Sequence, residues 1–171
     1  SYSSFRPQYP DAMFDLLADY CCRHALVWEA GCGSGQATIG LARRFDHVEA
    51  TDPAPSAIEK APQLDGVRFS VGRSESSSLA DGTVDLIASA QAAHWFDMTA
   101  FAQEAKRVGN QDAIIALWCY DRCRVNPRID AVTNRLYKDI LKGSWDPRRS
   151  HIDRGYTTLP FPFAEIDIEE I

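Results

Sequence analysis

Residues 28–36 have the residue types and the spacing of a cofactor-binding turn. Glycines stand at every second position, at Gly31, Gly33 and Gly35, and the acidic Glu29 comes just before them. Because glycine has no Cβ, the backbone N–H groups of such a turn can approach a ligand closely. A helix that begins after the turn directs its positive N-terminal end toward the same ligand. We therefore expect this turn to cradle a nucleotide-containing cofactor.

Asp52 is the second feature of this candidate site. It ends the next apolar stretch, about 21 positions after Gly31, and dinucleotide-binding sites place a ribose-binding acid at ~20. Two features at the right separation favour a ligand-binding turn over a glycine-rich turn that holds no ligand.

The glycine spacing discriminates between two candidate cofactors. Dinucleotide sites carry G-x-G-x-x-G or G-x-G-x-x-A, but the third small residue is replaced here by Gln36 or by Thr38, depending on the glycine that starts the pattern. The pattern that matches is acid-x-Gly-x-Gly-x-Gly, which resembles the first motif of class I S-adenosylmethionine-dependent methyltransferases. The methionine end of that cofactor carries an ammonium group that Glu29 can help to hold. Two alternatives stay open, an NAD-dependent oxidoreductase and a non-catalytic S-adenosylmethionine-binding regulatory module.

The elements that must position these residues alternate between strands and helices. Apolar runs predict strands at 25–29, 48–51, 67–71, 84–90 and 113–118. Helical periodicity and capping residues predict helices at 10–22, 36–45, from Ser56 to about Lys60, after Asp97 or Thr99, and at 127–141. This alternation predicts an α/β fold, a doubly wound and mostly parallel Rossmann-like sheet with helices on both faces. Ligands bind at the carboxyl ends of such strands, so the glycine turn, Asp52 and residues 74–76 and 91–95 should converge.

Composition limits the class of protein. The 171 residues are enough for one domain, and 45% hydrophobic and 25% charged residues are ordinary for a globular chain. The net charge of −6 argues against a broad nucleic-acid-binding surface. No stretch approaches the ~20 apolar residues of a membrane span and the N-terminus lacks a signal-peptide core, so we expect a cytoplasmic protein with no membrane partner. The five cysteines lack metal-site spacing, and we expect buried free thiols and no metal.

Several further segments resemble the small-molecule class I methyltransferases of the trans-aconitate-methyltransferase-like type, which carry a methyltransferase type 11 domain. They are Phe5-Arg6-Pro7-x-Tyr9-Pro10, Ala50-Thr51-Asp52-Pro53, Val71-Gly72-Arg73-Ser74-Glu75, Asp85-Leu86-Ile87, His94-Trp95-Phe96 and Asp153-x-Gly155-Tyr156. The resemblance implies one domain over 1–171, with an N-terminal lid and helix at 1–24, a cofactor-binding core at 25–120 and a partial substrate-side segment at 121–171. Such proteins usually add two strands after the fifth, and residues 161–171 suffice for one at most, so we expect the C-terminal strands to be missing or incomplete.

The resemblance also implies roles in cofactor binding. Gly31, Gly33 and Gly35 would pass under the methionine portion, Asp52 would take the ribose hydroxyls and Pro53 would lie beside the adenine. Glu75 and Ser76 would reach the adenine edge, where the family often has a Glu-Asp pair. The remaining cofactor-binding residues that we predict are Glu29, Gln36 and Gln91.

The resemblance places the acceptor beside His94 and Trp95, which would face the transferred methyl group, under a lid that carries Tyr2, Arg6 and Tyr9. Methyl transfer mainly needs proximity, alignment and exclusion of water. A carboxylate acceptor needs no base, whereas for a hydroxyl, amine or phenol His94 is either a general base or a hydrogen-bonded wall residue. We favour core packing over a substrate platform for Trp95.

Positive side chains offer a further contact for an acidic acceptor. Arg6 can pair with a carboxylate, as can Arg122, Arg124 and Arg128, although a solvated cluster is the favoured interpretation of those three. Residues 89–95 lack the Asn/Asp-Pro-Pro-Tyr type of segment that is typical of methylation at exocyclic amines of nucleic acids. The predicted function is therefore methylation of a small molecule, at a carboxylate or hydroxyl of an organic acid.

Overall fold

The computed structural model describes residues 8–120 and 124–164, and these ranges contain five strands in one parallel sheet. The strands are β1 (Leu26–Ala30), β2 (His47–Asp52), β3 (Val67–Val71), β4 (Val84–Ala90) and β5 (Gly109–Trp118). The helices are α1 (Asp11–Tyr20), α2 (Thr38–Leu41), α3 (Pro55–Ile58), α4 (Met98–Val108), α5 (Pro127–Arg135) and α6 (Ser150–Asp153). Short 3₁₀ turns lie at Ala93–Trp95 and Pro147–Arg149, and a π turn at Leu136–Ile140 continues α5.

The strand order is β3-β2-β1-β4-β5, and every pairing between these strands is parallel. Chain order therefore reverses between β1 and β4, which is where sheets of this class open a crevice for ligands. The doubly wound α/β sheet that the sequence predicts is confirmed.

Two apolar layers cover the sheet, one on each face. Successive residues of β1 point to opposite faces, so Val27 packs with Phe14 and Leu41 on one side while Trp28 packs with Phe101 on the other. The first six residues of β4 are buried, as its apolar run predicts for a strand that is covered on both faces.

Three elements differ from the prediction by more than two residues at one end. The helix expected at 36–45 is reduced to α2, because Gly35 holds a left-handed φ of +85° and Gly40 lowers the helix propensity. The helix expected at 127–141 keeps α geometry only through Arg135. β5 begins at Gly109 rather than at 113, because polar Asn110 donates to the buried carboxylate of Asp85, which stabilises the extended start of the strand.

The start of α4 settles an alternative that the sequence leaves open. Asp97 is the N-cap, and its carboxylate accepts hydrogen bonds from the backbone N–H groups of Thr99 and Ala100 at 3.0 and 3.1 Å. These bonds satisfy donors that a helix start leaves unpaired.

The expectations for cysteines and for the end of the chain are met only in part. Cys21 and Cys32 are buried, but Cys22 is exposed because it follows the last turn of α1 and points away from the core; Cys123 lies outside the described residues. Residues 161–164 contain no strand, and 165–171 are also outside the description. None of the helices in the described ranges has the length and apolarity that crossing a bilayer requires.

Candidate functional site

The glycine turn lies at the carboxyl end of β1 and has the backbone that the sequence predicts. Gly31, Gly33 and Gly35 have φ values of +72°, +57° and +85°, a region that side chains with a Cβ rarely adopt. A Cβ on Gly31 would lie 2.5 Å from the Cβ of Ala92, and one on Gly35 would lie 2.8 Å from the ring of Phe69. A Cβ on Gly33 would meet no atom of the described residues within 4 Å. Packing thus requires the outer two glycines, and the middle one borders open space that a ligand can fill.

Asp52 ends β2 and holds the glycine turn in place. Its Oδ2 accepts the backbone N–H of Gly33 at 2.9 Å, and its Oδ1 accepts that of Ala54 at 2.9 Å. Each carboxylate oxygen has a second lone pair. Asp52 can therefore accept hydroxyl groups of a ligand while it keeps both backbone contacts.

Glu29 lies at the carboxyl end of β1 and is 1% exposed. Burial raises its pKa to about 8, the nearby Asp52 acts in the same direction, and the hydroxyl of Thr38, which donates to Oε2 at 2.5 Å, opposes both. Without a positive partner the carboxyl is therefore largely protonated at neutral pH. A bound cation would favour its ionised form.

The two carboxyl groups beside the glycine turn determine the charge of the ligand that can bind there. A protonated Glu29 and the carboxylate of Asp52 offer a pyrophosphate none of the positive charge that would favour its binding. The described helix after the turn, α2, has only four residues and begins at Thr38, so its dipole offers little compensation. The donor set fits a cofactor with an ammonium and ribose hydroxyls better than a dinucleotide.

The other predicted cofactor residues surround the same edge of the sheet. Gln36 is half-buried in the turn before α2, and Pro53 is exposed just after β2. Gln91 has a φ of +56°, and its Nε2 donates to the carbonyl of Tyr120 at 2.8 Å. Ser76 is exposed. Their contacts with a cofactor stay predictions.

Glu75 has a role that the sequence does not reveal. Its Oε1 accepts the backbone N–H of Asp97 at 3.1 Å and its Oε2 accepts from Arg73 Nε at 3.2 Å. Burial alone would raise the pKa of Glu75, but its hydrogen bonds lower it overall. Glu75 thus ties the loop after β3 to the start of α4, and an adenine contact would have to use its remaining lone pairs.

His94 and Trp95 lie in the 3₁₀ turn after β4, which adjoins the glycine turn through the contact of Ala92 with Gly31. His94 is 7% exposed, and its Nδ1 lies 2.9 Å from the hydroxyl of Tyr156. Burial lowers the pKa of His94, with a further contribution from Arg148. The residue is therefore a neutral, hydrogen-bonded imidazole at neutral pH.

The prediction that Trp95 packs in the core is wrong. The indole is 52% exposed, and the guanidinium of Arg148 lies 4.3 Å from its ring centre. The 3₁₀ turn directs His94 inward and Trp95 outward. The hydrophobicity of the two side chains does not predict this difference in burial. The exposed part of the indole that Arg148 does not cover can contact a ligand.

Only some of the predicted acceptor residues lie within the described ranges. Tyr2 and Arg6 lie outside the described residues, as does Arg122, whereas Arg124 and Arg128 are exposed. Tyr9 packs against Trp118 and Tyr120 at the end of β5, with ring centres 5.9 and 6.1 Å apart.

Sequence reasoning missed Tyr156 as a site residue. It is 8% exposed and meets His94 from 62 positions away along the chain. The one available signal was the Gly155-Tyr156 pair in the last segment of the family resemblance.

Comparison with known proteins gives a consistent result. Residues 28–117 match the model of a methyltransferase domain. A protein of Dictyostelium discoideum named as a candidate methyltransferase is 34% identical over 93% of this chain and 62% of its own length. A protein of Saccharomyces cerevisiae named for S-adenosylmethionine-dependent methyl transfer is 30% identical over 70% of this chain and 44% of its own length. The chain thus spans less than two thirds of these curated relatives.

A solved structure extends the similarity to the fold. It is described as a candidate type II methyltransferase from Anaeromyxobacter dehalogenans and is 41% identical, with a TM-score of 0.89. The similarity covers 96% of this chain and 70% of that one.

Proposed function

The chain belongs to the methyltransferase-domain family and has the class I fold, and from that premise we propose that it transfers a methyl group from S-adenosylmethionine to a small molecule, a carboxylate or hydroxyl of an organic acid. The observation that carries the proposal is the position of Glu29 and Asp52 on either side of an open glycine turn. The trans-aconitate-like subgroup is part of this proposal and is supported by the His94-Trp95-Phe96 segment beside that turn.

Four residues of this chain would hold the cofactor. Glu29 would face the ammonium of its methionine end and Asp52 its ribose hydroxyls, while Gly33 leaves room for close approach of the turn and Pro53 borders the adenine. When bound, S-adenosylmethionine would supply a methyl group on a sulfonium sulfur, which activates that carbon for transfer to an acceptor oxygen. The protein contributes alignment and a water-poor environment.

The charges around His94 support an acidic acceptor. The groups whose charges act on His94 are Arg148, Arg149, His151 and Asp146, so three of the four are basic. A carboxylate is attracted to such a site and is already ionised, so its transfer step releases no proton. Tyr9 and the exposed face of Trp95 would complete the acceptor site, and Tyr2 and Arg6 stay predictions for its lid.

The proposal is tested with the full natural protein and S-adenosylmethionine that carries a labelled methyl group. A panel of mono- and dicarboxylic acids is compared with the corresponding amides and alcohols. We expect label in an alkali-labile ester of at least one acid, and loss of that label in Asp52→Ala but not in the exposed control Glu59→Gln. Cofactor binding without transfer to any member of the panel would contradict the proposal and favour the non-catalytic module.

A further inference from the structure

Tyr156 is held in an unusual backbone conformation at the acceptor side of the site. Its φ is +64°, and it follows Gly155 at +57°. Among described residues other than glycine, only Gln91 shares a positive φ, and it also borders this site. This region is unfavourable for a bulky side chain, so neighbouring contacts must stabilise it. The contact at its tip is the hydrogen bond with His94 Nδ1 at 2.9 Å.

The surroundings of the Tyr156 hydroxyl fix the direction of that hydrogen bond. Burial and Cys119 raise the pKa of Tyr156, and backbone hydrogen bonds from His94 and Ala93 partly offset this. Those backbone groups are donors and cannot take the phenolic proton. Among the described residues, the acceptor within hydrogen-bond distance is His94 Nδ1. Because a buried hydroxyl needs an acceptor, Tyr156 donates to Nδ1, and the neutral imidazole carries its proton on Nε2.

The Nε2 atom of His94 borders accessible space. The described residues give Nε2 no hydrogen-bond partner. Among these residues, the fully buried polar side-chain atoms that lack a partner are Ser89 Oγ and Trp118 Nε1, so His94 Nε2 is not fully buried. A ring nitrogen that has no partner and is not fully buried can be reached by a small polar group. The N–H of His94 therefore points where a ligand can accept it.

We propose that Tyr156 is a positioning residue that holds His94 as the Nε2–H tautomer, so that His94 donates a hydrogen bond to an acceptor oxygen and does not act as a general base. The inference rests on the proposed function, because it concerns the acceptor of that same site. An oxygen with negative charge suits this donor best, since charge-assisted hydrogen bonds are the stronger ones. Arg148 and Arg149 add positive charge around His94, and Asp146, whose Oδ2 lies 2.8 Å from a guanidinium nitrogen of Arg148, offsets part of it.

The tautomer is measured directly by long-range ¹H–¹⁵N NMR on the full chain with labelled histidine, with S-adenosylhomocysteine added. The His94 signals are assigned by their loss in His94→Gln. We expect an unprotonated Nδ1 and a protonated Nε2, and a population protonated at Nδ1 in Tyr156→Phe but not in the exposed control Tyr20→Phe. A protonated Nδ1 in the unmutated protein, or no change in Tyr156→Phe, overturns the proposal.

Kinetics with an acceptor from the labelled panel provide the second readout. A glutamine amide can replace the Nε2–H donor but cannot act as a base. His94→Gln should therefore stay within about tenfold of the unmutated kcat/KM, whereas His94→Leu should lose about ten- to hundredfold, mainly in KM. Equal losses in both variants overturn the donor role. Because the NMR signals need no turnover, failure of the proposed function and failure of this inference are distinguishable.

Discussion

Replacing Glu29 with glutamine should change how the stability of the ligand-free protein depends on pH. Glu29 is fully buried, and burial raises its pKa from the ordinary 4.5 to about 8. Well below pH 4.5 the carboxyl is protonated in both the folded and the unfolded protein, and Glu29 does not change the free energy of unfolding. Between these two values the unfolded chain releases the proton that the folded chain retains, so the free energy of unfolding falls as pH rises. Above about pH 8 the folded protein also ionises and the fall ends.

The size of the effect follows from the two pKa values. A shift from 4.5 to about 8 corresponds to roughly 4–5 kcal/mol of unfolding free energy between pH 4 and pH 9. Glu29→Gln keeps the shape of the side chain and can still accept from Thr38, but it cannot ionise. The variant should therefore gain stability relative to the unmutated protein as pH rises, by an amount on the order of several kcal/mol.

Urea unfolding of both proteins at several pH values measures this difference. Subtracting one curve from the other cancels the groups that titrate alike in both. Glu59→Gln is the matched control, because the Glu59 side chain is exposed, and its difference should stay flat. A flat difference for Glu29→Gln as well would refute the assignment of a raised pKa to buried Glu29.

Three further predictions concern the cofactor side of the site. Asp52→Ala should weaken binding of S-adenosylhomocysteine by about 1–3 kcal/mol, since a charge-assisted acceptor is lost; calorimetry measures it, and unchanged affinity would sink the ribose assignment. Binding of the same ligand near pH 7 should release protons as its ammonium lowers the pKa of Glu29; calorimetry in buffers of different ionisation enthalpy would detect this, and proton uptake would contradict it. Gly31→Ala should lower the melting temperature more than Gly82→Ala. Both glycines have positive φ, but among the described residues a new Cβ would meet atoms within 4 Å at Gly31, where the nearest is Ala92, and none at Gly82; equal shifts would show that packing at Gly31 is unimportant.

Local patterns in the sequence predicted most of the sheet. β3 and β4 begin and end where the apolar runs predict. The glycine turn was predictable because a positive φ strongly favours glycine, which is visible in the sequence. The length of α2 was overestimated. Apolar periodicity extends over residues 36–45, but Gly35 and Gly40 prevent these residues from forming one long helix.

Contacts between distant loops could not be predicted. His94 was a candidate from its place after β4, but the partner that fixes its protonation lies 62 residues away. Trp95 and His94 are neighbours with opposite environments, and only the path of the 3₁₀ turn separates the inward side chain from the outward one. Glu75 likewise pairs with a backbone group of Asp97 that sequence alone does not bring near.

The most direct test of the central claim is a calorimetric titration of the full natural protein with S-adenosylhomocysteine and, separately, with NADH. Glu29 and Asp52 beside the glycine turn predict that the first ligand binds in the micromolar range, about −8 kcal/mol, and that NADH gives no binding heat. Binding of NADH without binding of S-adenosylhomocysteine would contradict the cofactor assignment and the roles given to both carboxylates.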